Sequence, residues 1–187
     1  KFLSNDNRVL VCGRNVDKLK LAQQENPGLE IISCDMTNLD EMKSLVEKVK
    51  TEYTEINILI NNAGIQYNYR FDDEESHLDK INHEININFT AQLLLTDMLL
   101  PLLLRKNSSI INISSALAVV PKESAPVYCA SKAAIHIFSK ALRYQLEKSS
   151  VKVFEVIPAL VDTNMTAGRG SNKISPADVA NEAFKGF

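Results

Sequence analysis

The sequence predicts an α/β fold, a doubly wound parallel sheet with helices on both faces. Three observations predict it. Short β-branched runs such as Val9-Leu10-Val11 and Ile110-Ile111 have the unbroken apolar character of strands buried on both faces. The stretches between them place apolar residues at helical spacing, as Met42, Leu45, Val46 and Val49 do. The two kinds of segment alternate along the chain, which implies βαβ units with right-handed crossovers.

In order, residues 1–3 read as a helix tail and 4–7, Ser-Asn-Asp-Asn, as a turn. A strand follows over 8–12. The next helix, 16–25, is stopped by Asn26-Pro27-Gly28. A second strand covers 30–34, and Thr37 or Asn38 caps a helix over 39–53. A third strand, 56–60, leads into Asn61-Asn62-Ala63-Gly64. Residues 66–76 are polar, with an acidic run at 72–75 that reads as a solvated face or a helix start. One long helix is expected over 78–106. A strand from Ile110 ends in Ser114-Ser115, a loop bracketed by Pro121 and Pro126 follows, and a helix runs over 127–148. The last strand, 151–157, enters Pro158-Ala159-Leu160-Val161-Asp162-Thr163; a glycine-containing loop, 164–173, precedes a helix opening at Ser175-Pro176. There is no internal repeat or linker, so residues 1–187 are expected to form a single domain.

With 187 residues, 45% of them hydrophobic and 24% charged, the chain can bury a real core. A net charge of −2 without a basic cluster argues against nucleic acid as a partner. The most apolar stretch, 93–104, is too short to span a bilayer. Cys12, Cys34 and Cys129 have neither zinc nor disulfide spacing and fit reduced, buried thiols in a cytoplasmic protein. The three histidines fit no metal motif: His83-Glu84 begins a metalloprotease-like string, but Ile87 stands where the second histidine belongs.

The chemistry centres on Tyr128 and Lys132. Four apart on a helix, they share a face. A phenol with pKa near 10 exchanges protons poorly at neutral pH; an ammonium one turn away favours phenolate and is expected to lower it. Spacing alone favours a plain surface pair, since helical i,i+4 pairs arise easily. Ser115 decides, because it ends a buried strand at the sheet edge where such folds bind ligands, and its hydroxyl is placed to steady a carbonyl oxygen.

Ser115 with Tyr128-Cys129-Ala130-Ser131-Lys132, Asn61-Asn62-Ala63-Gly64 and Val161-Asp162-Thr163 resembles the short-chain dehydrogenase/reductase family. The resemblance runs from Arg8 onward and implies a Rossmann-like sheet and a nicotinamide dinucleotide cofactor. Its implied catalytic set is Ser115, Tyr128, Lys132 and Asn88, the last holding a water that links Lys132 to solvent. Asn88 is also odd as a mid-helix residue. Implied cofactor contacts are Asp35 and Met36 at adenine, Asn62, Ala63 and Gly64 where backbone approaches closely, Val161 and Thr163 at the carboxamide, and Tyr128 and Lys132 themselves. Ala159 replaces the family's usual glycine. At the ribose, the fold rule places an acid for NAD or an arginine for the NADP phosphate; Gly13-Arg14 stands there, which favours NADP over NAD.

The family's first strand and its glycine-rich turn have no counterpart in the chain. Roughly two dozen residues, one strand, a turn and most of a helix, are therefore expected before Lys1, and without that strand two sheet edges face each other unpaired. The final strand of the family is expected to be missing too. Leu93, Leu94, Leu95, Leu99, Leu102 and Leu103 exceed one core stripe, and with helix 127–148 they suggest a homodimer or homotetramer. The expected activity is hydride transfer between nicotinamide and a small-molecule carbonyl or secondary alcohol. The rival is an NADP-binding sensor or scaffold without turnover, which would have no use for the complete Ser115, Tyr128, Lys132 and Asn88 set. A substrate-lid hinge at Gly168-Arg169-Gly170 is a further expectation.

Overall fold

Five parallel strands are arranged in two sheets in the computed structural model, which describes residues 1–186. β1 (Leu10–Gly13) pairs with β2 (Glu30–Ser33). β3 (Ile58–Asn61), β4 (Ser108–Ile113) and β5 (Val151–Val156) pair in that order. β1 and β3 are not hydrogen-bonded to each other, so the sheet is interrupted where the sequence reading expects the interruption. Residues 1–3 do not form a helix tail; a single 3-10 turn, Leu3–Asn5, ends at Asp6 with φ 57°.

Strand limits shift where pairing overrides local propensity. Ser108 and Ser109 look like loop in the sequence, yet they join β4 because Val151 and Lys152 lie opposite them. Arg8, expected in the first strand, instead reaches across to the Glu30 carboxylate and lies 4.3 Å from the Tyr53 ring centroid.

α1 (Val16–Glu25) opens on Asn15, whose side chain accepts the Lys18 amide. α2 (Leu39–Glu52) opens on Asn38, which accepts the Asp40 and Glu41 amides. The long helix expected over 78–106 is compound: α3 (Leu78–Ile85), a π-turn (Asn86–Thr90), then α4 (Ala91–Leu103). α5 (Pro126–Gln145) begins on its own proline, and α6 (Pro176–Lys185) is capped by Ser175.

Met42, Leu45, Val46 and Val49 of α2 meet Leu95, Leu99, Leu102 and Leu103 of α4, with Ile110, Val151 and Val153 of the sheet beneath. Each such side chain contributes about 1.5–3 kcal/mol by leaving water. Leu94 and Leu104 stay outside, 39% and 44% exposed. All three cysteines are free, and burial lifts the Cys34 thiol to about 11, so it is protonated and inert. Among the described residues no helix is long and apolar enough to cross a membrane.

Candidate active site

The site is framed by a polar stripe on the long helix. Glu84, Asn88, Gln92 and Thr96 recur every fourth residue, are at most 3% exposed, and face the segment that leaves β3. Thr96 Oγ1 accepts from Asn61 Nδ2 at 2.9 Å, and Gln92 Nε2 donates to the Ala63 carbonyl at 2.7 Å. Asn88 takes both backbone groups of Ile65, its Oδ1 accepting the amide at 2.8 Å and its Nδ2 donating to the carbonyl at 2.9 Å. Glu84 Oε1 accepts the Tyr67 amide at 3.0 Å. Residues 61, 63, 65 and 67 are thus held in turn by residues 96, 92, 88 and 84. The repeat works because two extended residues and four helical residues advance by similar distances, about 6.6 and 6.0 Å.

This ladder fixes Gly64 between two rungs. A Cβ there would lie 3.5 Å from Asn88 Oδ1 and 3.6 Å from Lys132 Nζ. Asn88 sits in the π-turn, whose extra residue turns its amide inward, and Nδ2 also reaches Ser131 Oγ on α5 at 3.1 Å. Below the ladder, Asn61 donates to Asn112, which donates to Ser139, joining β3, β4 and α5.

Ser115, Tyr128, Lys132 and Asn88 come together here. They are 8%, 9%, 3% and 0% exposed. Ser115 follows β4 and turns the chain, its Oγ accepting the Leu117 amide at 3.1 Å. Its hydroxyl lies near enough to the Tyr128 phenol to lower that group's pKa. Lys132 Nζ donates to the Ile113 carbonyl at 2.7 Å and lies 5.8 Å from the Tyr128 ring centroid. The electrostatics depart from the sequence expectation. Burial raises the phenol's pKa, and the nearby Ser115 hydroxyl opposes it only in part. Lys132 does not act as the lowering charge; its own pKa falls to about 8 because burial disfavours the ammonium.

At the ends of β1 and β2, Arg14 and Asp35 are near neighbours. Burial pushes the Asp35 carboxyl up, but the Thr37 amide and hydroxyl, with the charge of Arg14, bring it below the ordinary carboxylate range. Met36 packs its sulfur against Cys12 and Cys34. Asn62 and Ala63 are exposed beside Gly64. Val161 bridges to Ile174, and the Thr163 amide donates to Thr166 Oγ1 at 3.1 Å. That loop reaches the ladder through Arg169, flanked by Gly168 and Gly170 at positive φ, whose Nη1 donates to Gln66 Oε1 at 2.9 Å.

Sequence reasoning misses Glu84, Gln92 and His83. Glu84 is fully buried, and its Oε2 has no hydrogen-bond partner among the described residues. Burial raises its carboxyl pKa. The folded state therefore holds this proton more tightly than the unfolded chain, and stability falls as pH rises through the ordinary carboxylate range. Glu84→Gln keeps an acceptor for Tyr67 and removes the titration. Its melting temperature is expected to lose that decline between acidic and neutral pH; parallel curves for the wild type and this variant would count against the assignment.

Comparison with known proteins identifies the family. The oxidoreductase DltE of Bacillus subtilis (strain 168) is 37% identical over 166 residues, covering 88% of this chain and 66% of DltE, so the chain spans about two thirds of that relative. An oxidoreductase of Staphylococcus aureus (strain N315) is 30% identical over 179 residues, 92% of this chain and 77% of the relative. Serine dehydrogenase from Escherichia coli superposes with a TM-score of 0.85 at 27% identity, over 98% of this chain and 81% of that one. A closed serine dehydrogenase complexed with NADP+ gives a TM-score of 0.88 at 26% identity, over 98% and 80%. The family model described as short chain dehydrogenase matches residues 1–174, a span that takes in the ladder, the Ser115 turn and the Tyr128–Lys132 helix face, and the chain belongs to that family.

Proposed function

We propose that the protein is an NADP(H)-preferring oxidoreductase that interconverts a carbonyl and a secondary alcohol. The observation that carries this reading is the convergence of four almost fully buried polar side chains, Ser115, Tyr128, Lys132 and Asn88, of which Asn88 and Lys132 meet at Gly64. A surface pair would not be so buried, and buried, perturbed titratable groups cluster at functional sites.

The residues present suit a phosphorylated nicotinamide dinucleotide. Arg14 is exposed and pairs with no carboxylate among the described residues, Asp35 is held ionised, and Gly64 leaves backbone open beside Lys132. Arg14 would take the 2′-phosphate, Asp35 and Met36 the adenine, Asn62 to Gly64 the backbone approach, and Val161 and Thr163 the carboxamide. When bound, the nicotinamide supplies or accepts hydride. Ser115 Oγ steadies the substrate oxygen against Tyr128. Tyr128 Oη passes the proton to that oxygen in reduction and takes it back in oxidation, and burial keeps the phenol protonated and ready to donate. Lys132, charged below about pH 8, holds the ribose side and restores the phenol's proton. Asn88 holds Ile65 and Ser131 in place and keeps the route from Lys132 hydrated.

The serine dehydrogenase likeness starts the substrate panel with small hydroxy compounds, offered with NADP+, and their carbonyl counterparts, offered with NADPH. Full-length protein is expected to consume NADPH with at least one carbonyl compound, and to bind NADPH without consuming it if the sensor reading holds instead. Gly64→Ala should fold, since its Cβ meets only ordinary contacts. It should nevertheless weaken NADPH binding several-fold, measured by fluorescence titration, because the methyl fills the approach beside Lys132. We also place a subunit contact on the α4 and α5 faces that leave Leu94, Ile137 and Tyr144 exposed; light scattering on the full-length protein tests it.

A further inference from the structure

The polar contacts continue beyond the last rung of the ladder. Tyr67, whose amide ends on Glu84, has its phenol oxygen 2.7 Å from His83 Nδ1. The other ring nitrogen, Nε2, lies 3.2 Å from Arg14 Nη1. A guanidinium can only donate, so Nε2 accepts. The ring proton then belongs on Nδ1 and is donated to Tyr67 Oη, which fixes the tautomer. One neutral imidazole thereby joins the end of β1 to the segment whose Gly64 lies beside Lys132. Asp35 feels the charge of Arg14, whose guanidinium the His83 ring contacts, so this contact sits at the ends of β1 and β2.

Arg14 is exposed, and among the described residues its side chain has no other hydrogen bond and no ion pair. A long exposed arginine otherwise samples many rotamers, and ordering it on binding costs affinity. A neutral acceptor at one Nη restricts it without neutralising it. The opposite edge of its fork stays free for an anion.

We propose that His83 is a positioning residue for cofactor selection: it pre-orients Arg14 toward the 2′-phosphate and, through Tyr67, ties that end of the site to the ladder. This rests on the reading of Arg14 as the phosphate ligand. Neither half is visible in a metal or catalytic motif, because His83 acts through a side chain 69 positions away.

The test is fluorescence titration of full-length protein with NADPH and with NADH. His83→Leu should weaken NADPH about fivefold, the scale of one orienting hydrogen bond, and leave NADH unchanged. His83→Gln retains an acceptor near the Nε2 position and should restore most of the loss. Arg14→Ala should weaken NADPH further, and adding His83→Leu to it should cost nothing more. The inference is overturned if His83→Leu binds NADPH like wild type, if NADPH and NADH weaken alike, or if the two changes add. An Arg14→Ala protein with unaltered NADPH affinity overturns the phosphate reading along with it.

Discussion

Replacing Tyr128 by phenylalanine is expected to lower kcat by about a thousandfold, the usual scale for a positioned general acid. The ring is retained, so packing at this 9%-exposed position is unchanged and only the hydroxyl beside Ser115 is lost. Stability should fall by no more than about 1 kcal/mol, and NADPH affinity should stay within a factor of about two. Ser115→Ala removes the group that steadies the substrate oxygen and should cost about a hundredfold. Lys132 adds a pH signature. Its pKa near 8 means its charge is lost above that pH, so kcat/KM should decline above about pH 8. Lys132→Met should abolish both that limb and most of the rate. Steady-state NADPH consumption across pH with the best carbonyl substrate measures all of these. Undiminished turnover by Tyr128→Phe would remove the proton-transfer role from this side chain.

The sequence is informative where chemistry and period coincide. Tyr128 and Lys132 advertise themselves because spacing of four on a regular helix is legible without coordinates, and Asn38 announces a cap because its side chain acts on its own neighbours. It is silent where a residue acts across the fold. Glu84, Gln92 and Thr96 read as ordinary helix polars; only the pairing with residues 61–67 shows that they face inward. The π-turn hides them further, since one residue inserted into a helix rotates everything after it by about 100° and defeats a search at period 3.6. His83 carries no signal in a search for metal ligands, and its actual partners, Arg14 and Tyr67, are remote in sequence. The expected effect of Lys132 on Tyr128 fails for a related reason: spacing gives proximity, but burial, which dominates both groups, is a property of the packed core. Ser108 and Ser109 look like loop for the same reason, because their strand character comes from β5.

Asn88 is where the ladder is expected to be most fragile. Its side chain is fully buried and makes three hydrogen bonds, two to Ile65 and one to Ser131. Asn88→Ala leaves the Ile65 amide and carbonyl without partners and opens a cavity, so a loss of about 3 kcal/mol is expected. For a chain of this size that is about 6–12 °C in melting temperature. Activity should fall beyond what stability explains, because Gly64 is no longer pinned next to Lys132. Asn88→Asp separates the two effects. A carboxylate still accepts the Ile65 amide but faces the Ile65 carbonyl, to which Nδ2 now donates. Only the protonated acid can donate there, so the fold would raise this pKa. The folded state then binds the proton more tightly, and stability falls as pH rises. Asn88→Asp should therefore approach wild-type stability under acidic conditions and lose it toward neutral pH, whereas Asn88→Ala stays low throughout. Thermal melts across pH read both, and an Asn88→Ala melt within about a degree of wild type would mean that Ile65 is held by something other than this side chain.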